Sequence, residues 1–240
     1  MTVFRVSMRI AGFLKSSLLD WDGRVTAVIF LPGCNFRCPF CHNSDLVLTP
    51  GDMPEVDQEA MMEYLKENSD FLDGVVITGG EPTIHSDLPD LISRLRSLGL
   101  MIKLDSNGTN PGMLEDLINA GMIDSVAMDV KGPLDQRYDD FSGVETPLDS
   151  IKRSISIIME SGIDYEFRTT VVPHMINEEE LEAMAAFIGG ARKYALQQFR
   201  PDNTLDERLS KIDPYPTERM RSMADLAKQY VQKVVLRGDL

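Results

Sequence analysis

The chain has 240 residues, 43% of them hydrophobic and 26% charged, which suits a globular protein and excludes a disordered, collagen-like or coiled-coil chain. Thirty-eight acidic against twenty-four basic residues give a net charge of −14, which excludes nucleic-acid binding over a broad surface. No run of roughly 18 apolar residues exists, so no membrane span is expected.

Arg5, Arg9 and Lys15 interrupt the apolar stretch at the N-terminus, so a secretory leader is not expected and a cytoplasmic location is. The segment from Ser7 to Gly23 reads as a short N-terminal ribbon. A buried strand follows at Val25–Leu31, rich in Val, Ile and Phe. After the turn Leu31-Pro32-Gly33 comes the loop CNFRCPFCHN. A helical pattern over Val56–Asn68 leads to a strand at Gly74–Thr78. Asp87–Leu98 carries Leu88, Leu91, Ile92, Leu95 and Leu98, the stripe of an amphipathic helix. A strand at Met101–Asp105, a helix over Pro111–Ala120 and a strand at Asp124–Asp129 continue the series. The helix Pro147–Ser161 and the strand Tyr165–Val172 come next. The helix Asn177–Gly189 opens on Asn177 with Glu180 three residues on, an N-cap with its reciprocal partner. The strand Ala195–Phe199 and the helix Thr217–Val231 precede VVLRG, a short last strand. Gly99, Gly121, Gly162 and Gly189 stand where helices should stop.

Six strands alternating with helices predict an α/β fold with parallel strands and right-handed crossovers. Such a sheet stays open and doubly wound or curls into a barrel. Six units are few for an eight-stranded barrel, so a partial (β/α)6 barrel with the N-terminal ribbon is expected, as one domain over residues 1–240. Chemistry then belongs at the carboxyl ends of the strands.

All three cysteines, Cys34, Cys38 and Cys41, lie within eight residues on the loop after the first buried strand. An odd count argues against a disulfide framework. Three thiolates on one loop suit a metal centre. Zinc would need a fourth ligand, for which His42 is available. An iron–sulfur cube held by only three cysteines keeps an open iron, where a substrate can bind. Spacing alone leaves both open. Elsewhere, a charge at Asp129, Lys131 or mid-strand Arg168 needs a partner or a function.

CX3CX2C with Phe40 before the last cysteine resembles the cluster loop of radical S-adenosylmethionine enzymes. So does Thr78-Gly79-Gly80-Glu81-Pro82 at the end of the second strand, in the same order along the chain. The likeness runs from about Ser17 to Phe199. SLLDWDG, LDSNG, MDVKG, FRTTVVP and QQFRPD narrow it to activating proteins of glycyl-radical enzymes, and within those to the anaerobic ribonucleoside-triphosphate reductase type. DWDG stands where DYPG is usual there, which points Trp21 and Asp22 at a different partner.

The resemblance implies a 4Fe–4S cluster on Cys34, Cys38 and Cys41, with S-adenosylmethionine on the fourth iron. It implies reductive cleavage to a 5′-deoxyadenosyl radical that abstracts hydrogen, with the protein supplying orientation and exclusion of water. Gly79, Gly80 and Glu81 would meet the cofactor's amino group, and Phe40 its adenine. Asp105, Ser106, Asp129 and Lys131 would bind its carboxylate and ribose side, and the two aspartates a monovalent cation. Arg168 would meet a carboxylate of cofactor or substrate, and Gln198, with Arg200, the ribose. The implied partners are a glycyl-radical enzyme as protein substrate and a flavodoxin- or ferredoxin-type electron donor. With no further cysteine there is no auxiliary cluster. A radical enzyme acting on a small molecule or nucleotide in cofactor biosynthesis is the second reading, and a zinc-stabilised binding module the third. His85 and His174 are expected to face solvent.

Overall fold

The computed structural model describes residues 8–238; Arg5 and Ser7 lie outside them. The strands are β1 Gly12–Ser17, β2 Thr26–Leu31, β3 Gly74–Gly79, β4 Met101–Ser106, β5 Ser125–Asp129, β6 Asp164–Val171, β7 Tyr194–Gln198 and β8 Val234–Arg237. They form one eight-stranded sheet in the order of the chain, open at both edges, as the expected partial barrel requires. β1 pairs antiparallel with β2 and makes the expected ribbon. β2–β3–β4 and β6–β7–β8 are parallel, and VVLRG supplies the last strand. No helix among the described residues is long and apolar enough to cross a membrane.

The chain divides into two compact units, each assembled from separate stretches. The first comprises the chain up to Asn35, Asp45–Ser106 and Gly112–Val126. It holds α1 Ser44–Leu48 almost entirely, then α2 Gln58–Glu67, α3 Leu88–Arg96 and most of α4 Pro111–Asn119. The leucine stripe of α3 is fully buried at Leu88, Leu91, Ile92 and Leu95. On β2 and β3, Val28 and Val76 pack with Trp21. Trp21 is therefore core, and the expectation that it faces a partner is corrected: an indole this large next to the sheet fills space that the short strands leave open. Asp22 remains exposed.

The second unit comprises Phe36–Ser44, Asn107–Pro111 and Ala127–Leu240. It carries α5 Tyr138–Ser142, α6 Leu148–Glu160, α7 Glu178–Phe187 and α8 Thr217–Ala227. Asn177 accepts from the backbone of Glu179 and Glu180, and Glu180 accepts from the Asn177 N–H, the capping box that the sequence predicts. Asn177→Ala is expected to lower stability by about 1 kcal/mol in urea denaturation. Gly99, Gly121 and Gly162 turn left-handed after their helices, as expected, but after α7 Gly190 does so rather than Gly189. α1, α5 and two 3₁₀ turns have no counterpart in the sequence reading. Each is five residues or fewer, too short to establish a helical period.

Candidate functional site

In the first unit the carboxyl ends of β2 and β3 are drawn together backbone to backbone. The Gly80 N–H donates to the Leu31 carbonyl at 2.9 Å, and the Glu81 N–H to the Gly33 carbonyl at 2.8 Å. Only glycine permits this. A Cβ on Gly80 would stand 1.8 Å from the Gly33 oxygen, and one on Gly79, whose φ is +120°, 2.4 Å from the Leu31 oxygen. The glycine pair thus seats the stretch that leads directly into Cys34. His85 braces the same stretch. Its Nε2 lies 2.9 Å from the Pro32 carbonyl, so His85 is part of the scaffold and not the solvent-facing residue expected.

Glu81 is buried. Its Oε1 accepts from the Thr83 N–H at 3.0 Å, the Thr83 hydroxyl at 2.6 Å and the Ser106 hydroxyl at 2.9 Å. Glu81 therefore caps the 3₁₀ turn Pro82–Ile84 and ties the end of β3 to the end of β4. Asp105 is buried beside Ser106. Lys103, two residues earlier and hence on the face of Asp105, is a buried cation that sequence reasoning passed over. Its Nζ donates to the Asp20 carbonyl at 2.5 Å.

In the second unit, the rest of the cysteine loop is clamped from two sides. The Arg37 N–H donates to the Ser142 carbonyl at 2.7 Å, and the Phe36 ring lies edge-on to Tyr138 with centroids 6.4 Å apart. The Asp206 N–H reaches the Pro39 carbonyl at 2.8 Å, and His42 Nε2 lies 2.9 Å from the Arg200 carbonyl. The Cys41 N–H closes a turn on the Cys38 carbonyl. Phe40 is buried.

Asp129 holds two cations at once. Lys131 Nζ is 2.9 Å from Oδ2, and Arg168 Nε donates to Oδ1 at 2.8 Å. The carboxylate that Arg168 meets is thus the chain's own, and a cation on Asp129 would share it with both side chains. Burial alone would raise the Asp129 pKa, but Arg168 and Lys131 outweigh it and bring it down to about 2. Burial alone would lower that of Lys131. Asp129 overrides it, with Cys38 and Cys41 adding to the effect, and holds Lys131 well above the usual lysine range. Lys131 is therefore within electrostatic reach of two of the three thiols.

Gln198 is buried. Its Nε2 donates to the Tyr215 carbonyl at 2.6 Å, and its Oε1 is buried without a hydrogen-bond partner among the described residues. The Arg200 side chain is exposed and points to Asp202 at 3.7 Å. His174 is exposed, as expected.

The donor set fits an iron–sulfur cluster. The three cysteines are free of disulfides, and three sulfur donors on one loop suit such a cluster.

A family profile described as the radical SAM superfamily matches residues 28–188. A protein of Methanocaldococcus jannaschii named as a glycyl-radical enzyme activating enzyme is 36% identical over 236 residues, 95% of each chain. The pyruvate formate-lyase-activating enzyme of Clostridium pasteurianum is 24% identical over 93% of this chain and 98% of its own. Among solved structures, Streptococcus suis SuiB bound to S-adenosylmethionine superposes with a TM-score of 0.65 at 15% identity. It covers 88% of this chain, which spans about half of SuiB (52%). SuiB bound to its precursor peptide SuiA gives 0.68 at 16% identity, over 88% of this chain and 48% of SuiB.

Proposed function

Because this chain belongs to the radical S-adenosylmethionine superfamily, whose cofactors are a 4Fe–4S cluster and S-adenosylmethionine, we propose that it abstracts hydrogen from a backbone glycine of a partner glycyl-radical enzyme. An anaerobic ribonucleoside-triphosphate reductase is the partner proposed. The observation that carries this reading is the end-to-end likeness to a protein named as such an activating enzyme, in a chain whose three thiols all stand on one loop.

When bound, the cofactors supply electron transfer and a 5′-deoxyadenosyl radical. The chain's residues do the rest. Cys34, Cys38 and Cys41 would hold the cluster as thiolates. The turn at Gly79 and Gly80 keeps the loop entry in place, and its backbone would receive the cofactor's amino group. Glu81 and Ser106 fix that turn and the end of β4 relative to each other. Phe40, which is buried, would pack beside the cofactor's adenine. Asp129, Lys131 and Arg168 form a charged floor carrying one net positive charge, which suits a carboxylate. Electrons enter from a flavodoxin- or ferredoxin-type donor.

The test is anaerobic reconstitution, dithionite reduction and incubation with S-adenosylmethionine and the glycyl-radical protein encoded nearest this chain. A glycyl radical by electron paramagnetic resonance is the expected result. Cleavage of S-adenosylmethionine with no protein radical at any partner concentration would overturn the activase reading in favour of a small-molecule substrate. Stoichiometric zinc without iron or sulfide would end both.

A further inference from the structure

The register of β6 on β7 separates two sets of side chains. Arg168 lies opposite Ala195, Thr169 opposite Leu196, Thr170 opposite Gln197 and Val171 opposite Gln198. Side chains alternate between faces along a strand. Thr169, Val171, Leu196 and Gln198 therefore share one face, and all four are buried. Arg168, Thr170 and Gln197 share the other, and all three are only partly covered. The second of the two adjacent glutamines is turned away from the face of Arg168, and the first is turned toward it.

Each charged group of this face has an ion-pair partner within the chain. Arg168 and Lys131 meet Asp129. Farther back, Lys193 lies 2.8 Å from the buried Glu166 carboxylate, and Arg237 grips both of its oxygens at 2.7 and 2.9 Å. Thr170 and Gln197 differ. Neither side chain hydrogen-bonds to another described residue. They stand side by side on parallel strands, about 5 Å apart, near the carboxyl ends where such sheets bind ligands.

We propose that Thr170 and Gln197 form a neutral hydrogen-bonding subsite that receives a peptide unit of the protein substrate. A carboxamide presents an N–H and a C=O on one edge, the complement of a backbone amide. The hydroxyl on the neighbouring strand donates to or accepts from the next amide along. The ligand this pair selects is uncharged and polar, because neither side chain carries a charge; the excess positive charge at Asp129, Lys131 and Arg168 is left for the cofactor's carboxylate. A glycine in the bound segment has no Cβ to hold its backbone off the sheet. The proposal rests on the activase reading and deepens it by naming how the substrate is held.

The test compares Gln197→Leu, Thr170→Val and Thr170→Ser with the wild type, using the reconstituted enzyme and the glycyl-radical protein encoded nearest it. Gln197→Leu and Thr170→Val are each expected to raise KM for the protein about 3- to 10-fold, the loss of one or two neutral hydrogen bonds. Thr170→Ser keeps the hydroxyl and retains the wild-type KM. The Kd for S-adenosylmethionine, measured separately, stays within about twofold in all three. A Kd that rises in step with KM would overturn the proposal and assign the pair to the cofactor. An unchanged KM with full protein activation would overturn it while leaving the activase reading intact. A wild-type enzyme that makes no protein radical would overturn both.

Discussion

Gly80→Ala is expected to deprive the protein of its cluster and of most of its activity, although alanine adds one methyl group. The added carbon would stand 1.8 Å from the Gly33 oxygen and 2.5 Å from its carbonyl carbon, both backbone atoms. A side chain in the way can rotate; a strand end cannot. Either β3 parts from β2, losing the bonds from Gly80 to Leu31 and from Glu81 to Gly33, or the stretch Pro32-Gly33-Cys34 moves. The second course displaces Cys34, and the first frees the turn that Glu81 caps. Overpacking of side chains typically costs about 1–3 kcal/mol, and a backbone collision belongs at or above the upper end. Iron and sulfide per chain after anaerobic reconstitution, with the midpoint of urea unfolding, check this. Both should fall well below wild type. Full iron content at wild-type stability would show that the loop yields without consequence. Gly143→Ala is the companion variant in the second unit, where a Cβ would stand 2.2 Å from the Arg37 oxygen and φ is +71°.

That glycine turn also shows what the sequence does and does not disclose. Several strands are nearly continuous runs of Val, Ile and Leu, and all six are legible within about two residues. The motif Thr78-Gly79-Gly80-Glu81-Pro82 was legible as special, but the physical use of its glycines was not. They pass another backbone, and which backbone depends on a pairing across some fifty residues of sequence. The capping role of Glu81 and the bracing role of His85 are hidden for the same reason, because a capping carboxylate and a bracing imidazole are recognised by where their partners fold. Trp21 looks from the DWDG departure like a partner-facing residue, and only its packing on Val28 and Val76 makes it core. Gln197 and Gln198 are the sharpest case. Adjacent identical residues cannot be told apart by type, and a single step of register decides which is accessible.

Asp129→Ala is expected to lower stability by about 3 kcal/mol, because two cations would lose the carboxylate they share. Asp129→Asn separates charge from contact, since it keeps one carbonyl oxygen to accept from Arg168 Nε but removes the counter-charge. If the charge dominates, asparagine is nearly as damaging as alanine; if the contact dominates, it is nearly neutral. The pH dependence discriminates independently. The folded pKa of Asp129 is about 2, against an ordinary value of 3.8. A carboxylate depressed in the folded state binds its proton less readily than in the unfolded chain. Its contribution is therefore fully present above about pH 4 and declines as pH falls toward 2. Asp135, Glu178 and Asp206, each beside an arginine, are also lowered and titrate in both proteins. The quantity to measure is thus the stability of wild type minus that of Asp129→Asn, by urea unfolding at intervals from pH 6 to pH 2. The difference should be level from pH 6 to about 4 and shrink below it. A difference that stays constant down to pH 2 would mean that Lys131 and Arg168 are held by something other than the Asp129 charge.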